Sequence, residues 1–152
     1  MKYGVLIFFL LGVVFAQDSQ IPQQQFDFWI GTWDVYKFDT DTLVGKSQIT
    51  SILDGNAIRE VYTSTQGPYK GTSLNAYNPQ TEQWAQFYMD NQGLTLELKG
   101  AFKEGKMILE DKVNRITWQS TEGGMVRQTW QVIPTGQVVF DGEYRKRIQE
   151  ND

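Results

Sequence analysis

Leu94-Thr95-Leu96-Glu97-Leu98-Lys99-Gly100 is the stretch of this chain that decides its fold class. Its leucines alternate with Thr95, Glu97 and Lys99, and a period of two places the two sets on opposite faces of a β-strand. Similar alternating segments, separated by turn residues, recur about every 8–12 positions from residue 26 onward, which is typical of a β-sandwich or barrel. No helix of ordinary length fits this pattern. The spacing therefore predicts an all-β protein.

Short turns join ten predicted strands. Asp54-Gly55, Glu104-Gly105 and Gly123-Gly124 supply the positive φ angles that tight hairpins need. Such short connections pair successive strands antiparallel, and a meander leaves two exposed edges unless its sheet closes. We therefore predict a closed antiparallel up-and-down barrel of about ten strands. The predicted strands are 32–38, 45–53, 57–64, 71–77, 83–90, 94–102, 106–111, 115–120, 125–133 and 138–147.

The first 16 residues have the pattern of a secretory signal peptide. Lys2 precedes an apolar run over 3–15, and Ala16 stands before a polar segment. The run is shorter than the roughly 20 residues that a membrane-spanning helix needs. We predict cleavage after Ala16, export to the periplasm or the extracellular space, and no membrane contact afterwards. The polar, Gln-rich segment 17–25 is predicted to be a disordered lead, and 26–148 to be the barrel domain.

Two absences in the composition exclude whole classes of site. The chain has no cysteine and no histidine, which rules out disulfides, thiol nucleophiles, Ser-His-Asp triads and His-ligated haem or zinc. Its 14 basic and 18 acidic residues give a net charge of −4. That balance argues against a nucleic-acid partner, because phosphate binding relies on clustered Lys and Arg. We expect no metal site and no cofactor.

Two predicted strands, 57–64 and 125–133, lack a purely apolar face. Glu60 shares a face with Ile58 and Tyr62, and Gln128 shares one with Trp130. A dry core disfavours such polar groups, whereas a barrel lumen that holds water or a ligand accepts them. The candidate lumen residues are Glu60, Tyr62, Asn75, Tyr77, Gln86, Tyr88, Arg127, Gln128 and Trp130.

Glu60 has three alternative interpretations. If its strand face is inward, the carboxylate needs a partner or a raised pKa. Arg127 is the candidate partner, which would make a buried structural ion pair. The other interpretations are a ligand anchor and an acid–base catalyst.

An aromatic segment, Phe26-Asp27-Phe28-Trp29-Ile30-Gly31-Thr32-Trp33-Asp34-Val35-Tyr36, introduces the first strand. It resembles the Gly-x-Trp start of lipocalins and related calycin barrels. The resemblance implies that a short aromatic turn caps one barrel end, and that Trp33 closes this end against a basic residue of the last strand. Arg145 and Arg147 share one face of that strand, since neighbouring strand residues alternate, and they are the candidates.

Further motifs resemble one family more closely, a group of uncharacterised, mostly bacterial lipocalin-like domains similar in fold to nitrobindin-type ten-stranded barrels. The resemblance covers nearly all of 26–147 and implies no settled activity. Nitrobindin-type domains that bind haem use a His ligand, which this chain lacks. The motifs are Ala57-Ile58-Arg59-Glu60, Ser73-Leu74-Asn75-x-Tyr77-Asn78-Pro79-x-Thr81, Trp84-x-Gln86, Asp90-Asn91-x-Gly93, Arg115-Ile116-Thr117-Trp118, Val126-Arg127-Gln128-x-Trp130 and Phe140-Asp141-Gly142-x-Tyr144.

Three functions are compatible with these features. The favoured one is an exported barrel that binds a small apolar or aromatic ligand, because ten strands enclose more space than the eight whose side chains just fill a barrel. The second is an enzyme of the barrel lumen that uses Glu60 or a tyrosine as acid or base. The third is a structural or partner-binding domain with a filled core. The oligomeric state stays open.

Overall fold

Ten antiparallel strands form one closed barrel in the computed structural model, which describes residues 21–147. Each strand pairs with its neighbours in sequence, and the first strand pairs with the last, which confirms the predicted up-and-down barrel. The predicted signal peptide, 1–16, lies outside the described residues. The strands are β1 (Gly31–Lys37), β2 (Leu43–Ile52), β3 (Ala57–Ser64), β4 (Lys70–Asn78), β5 (Gln83–Asp90), β6 (Thr95–Lys103), β7 (Lys106–Glu110), β8 (Asn114–Ser120), β9 (Val126–Val132) and β10 (Gln137–Lys146).

The connections between strands define two ends of the barrel. We call the end with the connections 38–42, 65–69, 91–94, 111–113 and 133–136 the open end, and the end with 53–56, 79–82, 104–105 and 121–125 the closed end. At the closed end, Glu104 and Gly105 join β6 to β7 with φ angles of 50° and 77°. Two positive φ angles characterise the two-residue hairpin turn whose twist matches the flanking strands.

The aromatic segment before β1 fills the closed end, as the sequence predicted. This segment contains the 3₁₀ helix Asp27–Trp29, which Phe26 directly precedes. The side chains of Phe26 and Trp29 are fully buried. The Phe26 ring stacks on Trp29 at 5.0 Å and meets the edge of Trp118 at 5.1 Å. Trp33 Nε1 donates a hydrogen bond to the Trp29 carbonyl at 2.9 Å. This segment is therefore an integral plug of the barrel.

The structure differs from the predicted disordered lead over 21–25. Pro22–Gln24 form a second 3₁₀ helix, and Trp84 Nε1 donates to Gln25 Oε1 at 3.3 Å. Proline fixes φ near the helical value, which favours such a turn. Residues 17–20 of that lead lie outside the described part of the chain. The other two 3₁₀ helices, Leu53–Gly55 and Glu122–Gly124, lie in connections at the closed end.

The basic residue over Trp33 is Lys146. Strands β1 and β10 pair Trp33 with Lys146, and the Lys146 ammonium lies 5.6 Å from the indole centroid. The expectation that Arg145 or Arg147 would fill this place is wrong, because residues directly opposite in a pair share a face and Lys146 alternates with both arginines. Arg145 pairs with Asp41 and Glu143, and Arg147 pairs with Asp34.

The packed core lies in the closed half of the barrel. Large side chains there are at most 1 % exposed, and they come from the plug and from seven different strands. None of the helices within 21–147 has the length and apolarity to cross a membrane. The main core residues are Phe26, Trp29, Trp33, Ile49, Trp84, Leu98, Met107, Trp118 and Tyr144.

Candidate functional site

The open half of the barrel contains a cavity of about 900 Å³. Its mouth includes exposed apolar side chains, among them Leu94, Val138 and Val139. Trp118 and Ile116 form part of its deeper wall and separate it from the packed core. A cavity of this size lies in the upper range of small-molecule pockets.

Six of the nine predicted lumen residues line this cavity, namely Glu60, Tyr62, Gln86, Tyr88, Gln128 and Trp130. Asn75 is fully buried beside it and is hydrogen-bonded to Gln86. Tyr77 faces inward near the closed end, where its ring packs against Trp84 at 6.1 Å, so it does not line the cavity.

Arg127 lies on the outer face of β9, and the proposed buried pair with Glu60 is wrong. Its guanidinium donates two hydrogen bonds to the Asp141 carboxylate at 2.9 and 2.8 Å, and it stacks 3.5 Å from the Phe38 ring centroid. The physical reason is alternation: Val126 and Gln128 point inward, so the residue between them points outward. Glu60 therefore has no cationic partner among the described residues.

Short hydroxyl side chains hold Glu60 instead of a cation. The residue is 5 % exposed, and Ser47 Oγ donates to its Oε1 at 2.8 Å while Ser73 Oγ lies 3.4 Å from its Oε2. The Tyr144 hydroxyl lies 3.3 Å from Oε1. Burial raises the pKa of Glu60 to about 7, although the three hydroxyl groups act in the opposite direction. The carboxyl group therefore titrates near neutral pH.

A chain of hydrogen bonds runs from Glu60 along the wall of the cavity. Asn75 Nδ2 donates to Ser73 Oγ at 3.0 Å, and Gln86 Nε2 donates to Asn75 Oδ1 at 2.7 Å. Gln86 is 3 % exposed, and its Oε1 is a buried acceptor that finds no hydrogen-bond partner within residues 21–147. On the opposite wall, the Tyr144 hydroxyl donates to Gln128 Oε1 at 2.5 Å. Several buried amide and carboxyl oxygens thus surround the inner part of the cavity.

Three tyrosines form a second polar layer nearer the mouth. The Tyr62 hydroxyl donates to the Val44 carbonyl at 3.2 Å, and the hydroxyls of Tyr69 and Tyr88 are hydrogen-bonded to each other. Burial raises the pKa of Tyr62 to about 12 and raises the pKa of Tyr88 further. These phenols therefore stay protonated at neutral pH.

Two inward-facing glycines make room for these rings. A Cβ at Gly45 would collide with the Tyr62 ring, and a Cβ at Gly71 would collide with the Tyr88 hydroxyl. Both positions lie in strands, where any residue can adopt the backbone conformation. Glycine is therefore required here by close approach rather than by φ.

Aromatic and aliphatic side chains complete the wall. Trp130 donates its Nε1 hydrogen to Asn114 Oδ1 at 2.9 Å, and its ring meets Tyr88 edge-on at 6.2 Å. This bond fixes the indole plane beside the cavity. An aromatic ligand would find a pre-formed surface here.

Sequence reasoning missed five residues of this site. Ser47 and Ser73 hold Glu60, Tyr144 bridges Glu60 and Gln128, and Tyr69 and Trp118 belong to the cavity wall. The signal for the serines was their position on the inward face, two residues away from Gly45 and Asn75 respectively. A small hydroxyl on a strand is equally common on an outer face, so composition alone did not distinguish them.

No group of three or more acidic side chains within 21–147 is arranged to hold a metal ion. A scan of the chain against protein-family models and a search of the curated proteins gave no match.

Proposed function

We propose that this protein binds a small, largely apolar or aromatic molecule in the open half of its barrel. The observation that carries the proposal is the cavity of about 900 Å³, with Trp118, Trp130 and Phe140 in its wall and a few polar groups at its inner part. An apolar pocket with a small number of placed polar groups is the usual form of a small-molecule site. The resemblance to lipocalin-like domains supports the same proposal, because barrels of that type hold one small ligand.

Export belongs to the proposal as well. The pattern of 1–16 supports secretion into the periplasm or the extracellular space, and the protein would then meet its ligand outside the cytoplasm. Mass spectrometry of the mature chain from its native host tests this part, with Gln17 as the expected first residue. An intact Met1 on the mature chain would contradict it.

A barrel-lumen enzyme is the second candidate, and one observation favours it. Glu60 lines the cavity, and burial raises its pKa to about 7, which suits a general acid or base at neutral pH. The third alternative is a structural or partner-binding domain with a filled core. A filled core agrees with the closed half of the barrel but does not explain the cavity in the open half.

Titration with N-phenyl-1-naphthylamine tests the binding function, because this neutral aromatic probe fluoresces in apolar surroundings. We expect saturable binding of one probe per chain at micromolar concentration. The matched variants Leu94→Arg and Leu74→Arg place the same charge at the cavity mouth and on the outer surface, where the wild-type leucines are 39 % and 46 % exposed. Leu94→Arg should weaken binding several-fold, and Leu74→Arg should leave it unchanged.

Two outcomes would contradict the binding function. One is the absence of saturable fluorescence, and the other is a loss of binding in Leu74→Arg alone, which would place the probe on the outer surface. Native mass spectrometry of the purified protein distinguishes binder from enzyme. An unmodified small molecule at one per chain supports binding, whereas a ligand that is chemically converted during incubation supports the enzyme.

A further inference from the structure

The hydrogen-bond chain along the cavity wall runs in one direction and ends at Glu60. The Ser73 hydroxyl donates to the Glu60 carboxyl group at 3.4 Å. Ser73 Oγ then accepts from Asn75 Nδ2, which leaves Asn75 Oδ1 to accept from Gln86 Nε2. Every amide therefore donates toward Glu60. The other end of the chain is an acceptor, the buried Oε1 of Gln86, which has no hydrogen-bond partner among the described residues.

A buried acceptor without a donor is unfavourable, and a ligand that brings a donor removes this penalty. Two further acceptor groups face the same cavity: the Glu60 carboxylate and Gln128 Oε1, both in contact with the Tyr144 hydroxyl. The inner part of the cavity thus presents acceptors from β3, β5 and β9. A ligand group with several N–H donors fits them better than a group that offers only acceptors.

The charges around the cavity favour the same kind of ligand. Three acidic residues line it, Glu60, Asp90 and Asp141, and Arg127 neutralises Asp141 from outside. The basic residue among the described lining residues is Lys37, which is exposed at the mouth. When Glu60 is ionised, the inner cavity holds a negative charge with no compensating cation among the described residues, and an anionic ligand group would meet like charge there.

We propose that the ligand carries a primary amine, as an ammonium group, on an apolar or aromatic body, and that the ammonium binds between Glu60, Gln86 and Gln128. This inference rests on the proposed binding function and names the ligand class of the same site. An ammonium group has three N–H donors and no acceptor, which matches the three acceptor groups. The rings of Tyr62, Tyr88 and Trp130 surround the path from the mouth and attract a cation through their π faces.

The bound ammonium ion also acts on the protonation of Glu60. The titratable groups that face Glu60 are Tyr62, Tyr69, Tyr88 and Tyr144, and burial raises the pKa of each, so all four stay neutral. Since no cation of the described part of the chain lies beside Glu60, the positive charge of a bound ligand favours the ionised form of this carboxyl group. Binding of the amine near pH 6 should therefore release a proton from Glu60, whose pKa in the free protein is about 7.

Three compounds with one naphthyl body test this inference by calorimetry on the mature chain: 2-(1-naphthyl)ethylamine, 2-(1-naphthyl)ethanol and 1-naphthaleneacetic acid. We expect the amine to bind at least about ten-fold more tightly than the alcohol, and the acid to bind most weakly. Titrations at pH 6 in two buffers of different ionisation enthalpy should show release of about one proton per amine bound, and none for the alcohol. This second measurement needs no variant.

Glu60→Gln keeps the shape of the side chain and removes its charge, so the amine and the alcohol should then bind within about two-fold of each other. Glu97→Gln, on the outward side of β6, is the matched control and should keep the ten-fold preference. Equal binding of all three compounds, or tight binding of the acid, would overturn the amine inference and leave the binding function intact. No binding of any compound, together with no probe fluorescence, would overturn both.

Discussion

Aromatic side chains fill the closed half of this barrel, whereas in the open half they surround a cavity. In the closed half, Phe26, Trp29 and Trp33 are fully buried, and Trp29 contacts both of the others. In the open half, Tyr88 and Trp130 are only half-buried and surround a cavity of about 900 Å³. The difference lies in the plug, because the segment before β1 enters one end of the barrel and fills it.

Between the two halves lies a layer of buried polar residues. Glu60, Asn75, Gln86 and Gln128 are at most 9 % exposed, and they extend across the barrel from β3 to β9. Such groups are unfavourable in a packed core unless they are hydrogen-bonded. Aromatic content alone therefore does not distinguish a core from a pocket. The polar layer marks where the core ends and the site begins.

Replacement of a tryptophan by alanine should have the largest effect on stability, and this effect should differ between the two halves. Trp33→Ala should lower the free energy of unfolding by about 3–5 kcal/mol, because a fully buried indole leaves a cavity. Trp130→Ala should lower it by at most about 2 kcal/mol, because that indole already faces a cavity and less apolar area is lost. Urea denaturation of both variants measures the two values. Equal losses would contradict the division into two halves.

The polar layer should make stability depend on pH. Glu60 has a folded-state pKa of about 7 against an ordinary value near 4.5, so the unfolded chain releases its proton first as the pH rises. Stability from this group is fully present below pH 4.5 and is lost as the pH rises through 7. Because one pKa unit corresponds to about 1.4 kcal/mol, the loss is about 3 kcal/mol.

Urea denaturation between pH 5 and pH 8 measures this dependence. Glu60→Gln should flatten the curve in that range, and Glu97→Gln, on the outer face of β6, should keep the wild-type slope. A Glu60→Gln curve as steep as the wild type would show that the carboxyl group is solvated and that the polar layer is not closed to water.

The outer surface near the open end should tolerate loss of an ion pair. Arg127→Met removes the pair with Asp141, whose two side chains are 37 % and 31 % exposed. Pairs of this exposure contribute at most about 1 kcal/mol, and the methionine keeps apolar contact with Phe38. The expected loss, measured by thermal denaturation, is below about 1 kcal/mol. A loss of several kcal/mol, which is typical of a buried ion pair, would indicate that Arg127 lies inside the barrel.

The smallest effect is expected at the surface of the closed end. Lys146→Met removes a cation 5.6 Å from the Trp33 centroid, and an exposed cation–π contact contributes about 0.5–1 kcal/mol. The same change at Arg145, which lies over Tyr36 at 4.2 Å, should leave the Trp33 environment unchanged. Near-ultraviolet circular dichroism detects that environment. A change in the Trp33 signal in Arg145→Met but not in Lys146→Met would contradict the observed register.

Most of the fold could be predicted from alternation and turn residues. Strands β3 and β5 have the predicted bounds, 57–64 and 83–90, and closure follows from the short connections. Six of the nine predicted lumen residues line the cavity, because the strand period of two indicates which residues share a face. The period does not tell how deep a residue lies, and this is why Tyr77 was assigned to the lumen although it packs near the closed end.

The remaining errors have a common physical cause, which is pairing between distant strands. Both faces of β9 carry polar residues, so alternation alone does not decide whether Arg127 points into the barrel or outward. The partner of Trp33 depends on the register of β1 against β10, and a shift of one residue exchanges Lys146 for Arg145. The serines that hold Glu60 come from β2 and β4, and their role appears only when these strands are placed beside β3.

The most direct test of the two-half account uses the five tryptophan indole N–H resonances in a ¹H–¹⁵N NMR spectrum. Trp130 lines the cavity, Trp118 lies at the boundary between the cavity and the packed core, and the other three belong to the closed end. Titration with 2-(1-naphthyl)ethylamine should shift the Trp118 and Trp130 resonances in a saturable way and leave those of Trp29, Trp33 and Trp84 in place. Shifts of all five resonances together, or of none at millimolar ligand, would contradict a binding site confined to the open half.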